Sequence, residues 1–346
     1  GGPLADLCKV VDADGYRIYP PGNTAPYDGL TTGQYYNPAN SISGVRNYPV
    51  QIIPADYAGM RVPAYDPNEA MVEDSDWNGV MNQLYGNQNI IGGMPANGAN
   101  PGMLGFLQDY YARYMLSWQG LDVLWTYDPP QARVINALAK TFSVSDRWFS
   151  SVPTQTNPNR AYSLCGTSLG REANANIQAV EQFDVRTLFN ALGEAGKSWG
   201  LYYEDIWQQN QCYTQYTFPQ LSSAPNGEIA TMEQFFERAR DGTLPAFTYL
   251  EPKWGFGKGV LNVQGHDYHP PTLIDPGEVF LAAVFKAISN SPQWGNMLWN
   301  VLGGGGVDVR PEICTVDLRE EDWILVCTDG LNKHLSDEEI YQKLIG

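Results

Sequence analysis

The sequence predicts an α/β protein with a mainly parallel central sheet, helices over both of its faces and long irregular loops at the N-terminal end. Three observations carry this. Short strand-like runs alternate with helical segments through the second half of the chain. A strong amphipathic helix is expected over 277–290, from Val279, Phe280, Ala283, Val284 and Ile288. The length, 346 residues, suits one large domain or two smaller ones with ample core.

The first hundred residues are dense in turn formers, as in Tyr19-Pro20-Pro21-Gly22-Asn23 and Gly92-Gly93-Met94-Pro95-Ala96-Asn97-Gly98, and are expected to be loops packed onto something else. From Pro101 the apolar positions Met103, Leu104, Phe106, Leu107, Tyr110 and Tyr111 recur at helical spacing. A second helix is expected over 130–140, with Val134, Leu138 and Ala139 on one side. Phe142-Ser143-Val144 reads as a strand, 185–195 as a helix, and Trp199-Gly200-Leu201-Tyr202-Tyr203 as a strand. A helix over 232–240 and a strand at Phe247-Thr248-Tyr249-Leu250 follow. No internal repeat is visible.

The formal net charge is −17 and the pI is near 4.5. A nucleic-acid backbone or an anionic membrane would be repelled, so neither is expected as the main partner. No apolar run is long enough for a transmembrane helix, and Gly1-Gly2-Pro3-Leu4-Ala5-Asp6 lacks the basic and apolar parts of a signal peptide. The five cysteines, Cys8, Cys165, Cys212, Cys314 and Cys327, include no C-x-x-C pair, which speaks against zinc–thiolate chemistry and for buried free thiols, with one or two disulfides left open.

Composition breaks at Gly303-Gly304-Gly305-Gly306. Residues 307–346 carry ten acids and four bases but only two aromatics, Trp323 and Tyr341, whereas the first 306 residues hold 28 acids, 17 bases and 41 aromatics. Two units are therefore expected, 1–302 and a glycine linker with a C-terminal segment at 303–346.

Residues 141–160, T-F-S-V-S-D-R-W-F-S-S-V-P-T-Q-T-N-P-N-R, strongly resemble the phosphoesterase family that contains bacterial C-type phospholipases and acid phosphatases. The resemblance continues in Cys165-Gly166-Thr167-Ser168, Leu244-Pro245-Ala246-Phe247, Tyr249-Leu250-Glu251-Pro252, Gly265-His266-Asp267-Tyr268-His269-Pro270-Pro271, Gly277-Glu278 and Ser291-Pro292-Gln293-Trp294, covering roughly 25–298. It implies an alkaline-phosphatase-like α/β/α sandwich, a secreted or periplasmic setting, and hydrolysis of a phosphomonoester or a phospholipid headgroup ester. Such hydrolysis needs an activated hydroxyl, charge neutralisation on the phosphate oxygens and a proton for the leaving group.

The resemblance assigns the nucleophile to Thr156, with Thr154 as the neighbouring alternative. Asn159 and Arg160 either hold a phosphate oxygen or fix the loop. His269 and His266 are candidates for proton transfer, since neutral imidazole binds metal and imidazolium donates a proton. Asp267 beside them is a candidate ligand for the divalent metal ion, of unspecified identity, that the family implies. Glu251 ends a strand, where carboxylates reach the ligand crevice of open parallel sheets or act in capping and ion pairs. Glu69 stands where many relatives place a histidine. The family's E-N-R-S-F-D and D-E-H-G-G type segments, both sources of metal ligands, have no counterpart in this sequence.

Residues 312–344 look like a piece of the metal-dependent protein Ser/Thr phosphatases of the PPM type, with Glu321-Asp322-Trp323-Ile324-Leu325-Val326-Cys327-Thr328-Asp329-Gly330-Leu331 as the telling core. That resemblance makes Asp329 a candidate manganese or magnesium ligand, although one carboxylate cannot hold such an ion. Two other functions stay open: a non-catalytic phosphoesterase domain used for binding or assembly, and a protein phosphatase acting through the C-terminal segment.

Overall fold

The computed structural model describes residues 36–38, 47–49, 51–52, 76–86, 90–91, 94–99, 102, 104–109, 125–126, 132–141, 150–172, 174, 182–255, 265–268 and 274–297. The Phe142-Ser143-Val144 run, Glu69, Tyr110, Tyr111, His269 and Asp329 lie outside these residues.

Among the described residues before 127, the strands form short ladders. Tyr36–Pro38 pairs antiparallel with Asn47–Pro49, Ile90–Ile91 antiparallel with Met94–Pro95, and Gln51–Ile52 parallel with Trp125–Thr126. Helix α1 spans Asp76–Tyr85. Residues 106–109 are helical and Leu107 is buried, whereas Leu104 is exposed.

Helix α2 covers Arg133–Thr141 and buries Val134, Ala137 and Leu138. Ala137, not the expected Ala139, completes the stripe, because residues three and four apart share a helix face. Helix α3, Thr156–Cys165, forms where a polar loop was expected. Pro158 fits there because it lies in the first turn, where its missing N–H has no intrahelical acceptor to lose. Helix α4 spans Leu188–Glu194, starting later than expected. Thr187 fixes that start: Asn190 N donates to its hydroxyl at 3.3 Å, and Thr187 N donates back to Asn190 Oδ1 at 2.9 Å.

Strand β1, Trp199–Tyr203, is followed by helix α5, Tyr213–Thr217, and then by strand β2, Gly227–Thr231. Helix α6, Met232–Asp241, leads to strand β3, Phe247–Glu251, and helix α7, Asp275–Ser289, comes later. Pro276 sits in the first turn of α7, which therefore opens earlier than expected, and Val279 faces solvent.

The three strands form a parallel sheet in the order β2-β1-β3, with Trp199 level with Gly227 and Phe247, and Tyr203 level with Thr231 and Glu251. Side chains alternate between its faces. Trp199, Leu201, Phe247 and Tyr249 pack with Ala161 and Leu164 of α3 and Phe189 of α4. Tyr202, Ala230 and Leu250 pack with Phe235 of α6 and with Phe280, Val284 and Ile288 of α7. Burying each such large apolar side chain stabilises the fold by about 1.5–3 kcal/mol. The result is the expected α/β class, a sheet covered on both sides, with α2 joined to the outer layer through Leu281 and Ala282. All three strands point their carboxyl ends the same way, so Tyr203, Thr231 and Glu251 mark one rim. Among the described residues no helix is long and apolar enough to cross a membrane.

Candidate functional site

The segment before α3 is held by side chains from within the motif. Asn159 Nδ2 donates to the carbonyls of Val152, Thr154 and Gln155 at 3.0, 3.1 and 2.9 Å, and its Oδ1 accepts from Val152 N at 3.1 Å. This amide thus fastens the loop to the helix it precedes. Asn174 Oδ1 accepts from Asn157 N at 2.7 Å, while Asn174 N donates to Gln155 Oε1. The Thr154 hydroxyl donates to the Glu172 carbonyl. Thr156, half-buried, is the first residue of α3, at the positive end of the helix dipole.

Arg160, one turn further, is buried against the rim. Its Nη2 donates to Thr214 Oγ1 at 2.5 Å and to the Tyr249 hydroxyl at 3.0 Å. The guanidinium carbon lies 5.5 Å from the ring centres of both Tyr213 and Trp254. Glu251 closes this half of the site: it is 2% exposed, and its carboxylate accepts from Tyr213 N at 2.8 Å, from Thr214 N at 2.7 Å and from the Thr214 hydroxyl. Tyr213 and Thr214 are the first two residues of α5, so Glu251 caps that helix. The Tyr213 hydroxyl donates to Asn157 Oδ1 at 2.7 Å and ties α5 back to α3.

The second half centres on His266. Its Nδ1 lies 2.7 Å from Glu204 Oε2, just past the end of β1. An ionised carboxylate only accepts hydrogen bonds, so Nδ1 carries the hydrogen, and Nε2 is the other ring nitrogen. Lys253 holds both partners: its N–H donates to Glu204 Oε2 at 2.7 Å, and its carbonyl accepts from His266 N at 2.8 Å. Asp267 is buried and accepts from Gly255 N at 3.0 Å. A side chain at Gly265 would collide with Gly255, since its Cβ would lie 2.0 Å from Gly255 N.

The structure joins three of the expected site residues, Arg160, His266 and Asp267, through one short stretch, 251–255. Glu251 reaches toward Arg160 by way of Thr214, Trp254 covers Arg160, and Lys253 and Gly255 hold His266 and Asp267. Sequence reasoning missed Glu204, Tyr213, Asn174 and Trp254. Glu204 carried a usable signal, a carboxylate directly after an expected parallel strand. Tyr213, Asn174 and Trp254 carried none.

The described thiols are poor nucleophiles. Cys165 and Cys212 are free, burial pushes the Cys165 thiol up to about 11, and burial with the Glu251 charge pushes Cys212 higher still. Among the described residues no three metal-ligating side chains cluster. Both Glu251 oxygens, one Glu204 oxygen and one Asp267 oxygen accept hydrogen bonds from backbone N–H groups.

The profile of the phosphoesterase family matches residues 24–302. The chain belongs to that family. Similar curated proteins are Arabidopsis thaliana non-specific phospholipase C4, 30% identical over 224 residues, and non-specific phospholipase C3, 30% identical over 206. These matches take in 64% and 59% of this chain but 39% and 37% of the relatives. The chain thus spans less than two-fifths of the length of these phosphoesterases. Residues 303–346, with Asp329, lie beyond the family match and outside the described residues.

Proposed function

We propose that the chain is a hydrolase of phosphoric esters of the phospholipase C type, acting on a phospholipid headgroup ester with Thr156 as nucleophile. The observation that carries the reading is the family match over 24–302, which includes the loop that ends at Thr156, the first residue of α3. Its curated relatives named above are phospholipases C by name. In this mechanism Thr156 Oγ1 loses its proton and attacks phosphorus, diacylglycerol leaves taking a proton on its oxygen, and the headgroup phosphate stays esterified to Thr156 until water attacks phosphorus, releasing it and restoring the hydroxyl. The positive end of α3 favours the charge that develops on the phosphate oxygens. His266 moves the protons through Nε2 while Glu204 fixes its tautomer and stabilises the imidazolium. Asn159, Asn174 and Arg160 act by positioning, since their bonds hold α3, α5 and the preceding loop in place.

The test is release of phosphocholine from phosphatidylcholine vesicles, with p-nitrophenyl phosphate as the phosphomonoester control. Turnover of the diester that disappears in Thr156→Ala, with folding intact, supports the reading. Turnover of the monoester alone moves the assignment to a phosphatase. No turnover of either, or no effect of Thr156→Ala, favours the non-catalytic binding module instead.

A further inference from the structure

The turn that carries His266 and Asp267 is held from a direction that the proposed mechanism does not use. Tyr268 ends this turn with a left-handed backbone, φ 55°, a conformation that costs a side-chain-bearing residue of order 1–3 kcal/mol. Its hydroxyl donates to Glu278 Oε1 at 2.6 Å. Glu278 is 3% exposed, lies in the first turn of α7, and also accepts from Val134 N and from Ile135 N, the latter at 3.2 Å, at the start of α2. The neighbouring Gly277 lets the turn press onto α7: a Cβ there would lie 2.6 Å from the Tyr268 ring and 3.1 Å from the His266 carbonyl. A buried carboxyl therefore joins three pieces of backbone, and one of them is the strained turn next to the histidine.

We infer that Glu278 and Tyr268 are positioning residues that set the height and rotation of His266 at the rim of the sheet. The inference rests on the phosphoric ester hydrolase reading only for its kinetic consequence; its geometric consequence stands alone. Without the Tyr268 hydroxyl bond the left-handed turn loses the contact that offsets its strain, and His266 loses its fixed approach to Glu204. Misplacement of a reacting group by about 1 Å from a distant change can cost about 100-fold in rate.

The test uses Tyr268→Phe, which removes one oxygen, and Glu278→Gln, which keeps an acceptor for Tyr268 but cannot accept from both α2 N–H groups. On phosphatidylcholine vesicles, kcat is expected to fall between about tenfold and 100-fold with KM within about twofold. Hydrogen exchange at 265–268 should accelerate while that of 247–251 stays unchanged, and the His266 ring resonances should shift. Tyr268→Phe with wild-type kcat and wild-type exchange overturns the inference, as does a lowered unfolding temperature with kcat per folded molecule unchanged. If the wild-type chain hydrolyses neither ester, the functional reading fails instead. The exchange and His266 resonance measurements then decide the positioning role by themselves.

Discussion

His266 Nδ1 and Glu204 Oε2 stand 2.7 Å apart although 62 positions separate them in the chain. The pair forms because β1 and the 265–268 turn meet at the carboxyl rim, where the Lys253 N–H holds Glu204 and the Lys253 carbonyl holds His266. His266→Ala is expected to lower kcat by about 10²–10⁴-fold, the ordinary range for a proton-transferring side chain. Glu204→Gln, which leaves a neutral amide against Nδ1, should fall in the same direction with a smaller loss. Initial rates of headgroup release across pH measure both, and equal rates for His266→Ala and wild type would remove His266 from the mechanism.

Glu251 serves three donors at once in a site closed to water. Glu251→Ala strands the first two N–H groups of α5 and the Thr214 hydroxyl, and should cost about 1–3 kcal/mol or more of stability. The expected readout is a lower denaturant midpoint with an unchanged slope. A midpoint equal to that of the wild type would show that water replaces the cap without penalty.

The two described thiols should resist alkylation at neutral pH. Burial raises the pKa of Cys165 to about 11, so its thiolate is scarce below that value and its labelling rate should climb through it. Cys212, held higher still, should label only as the chain opens. Site-resolved mass spectrometry after iodoacetamide treatment separates the two, and rapid labelling of Cys212 in the folded protein at pH 7 would contradict the burial argument.

Glu278 gives a stability dependence of defined sign. Burial, the largest influence, raises its carboxyl above the ordinary value of 4.5, against the opposing hydrogen bonds from Tyr268, Val134 and Ile135. The folded chain therefore keeps a proton that the unfolded chain has released. Stability relative to Glu278→Gln should fall as pH rises from about 4.5 through the folded value, then level off. Paired denaturation curves at several pH values measure this difference, and a rise over that window would reverse the assignment.

How much of this was legible in the sequence depended on where each residue's partner lies. Trp199–Tyr203 could be read directly, since five apolar or small residues in a row between turn formers leave little choice. Gly227–Thr231 could not, because a strand reading G-E-I-A-T becomes a strand only by pairing with β1. Helix α3 was hidden by its composition: T-N-P-N-R-A-Y-S-L-C buries Asn157 and Arg160, whose hydrogen bonds come from α5 and β3. Within the site, Thr156, Arg160, His266 and Asp267 stood out by motif. Of their supports, Asn174, Tyr213 and Trp254 come from other parts of the chain and leave no local trace, whereas Glu204 is marked by its place directly after β1.

The stretch 251–255 has a consequence for how this domain can change over time. Glu251 and Trp254 serve the arginine side of the rim, while Lys253 and Gly255 serve the histidine side, all within five consecutive residues. A substitution that shifts this backbone to suit one side is felt at once by the other. The two sides are therefore bound to drift together, with replacements accepted in compensating pairs rather than singly.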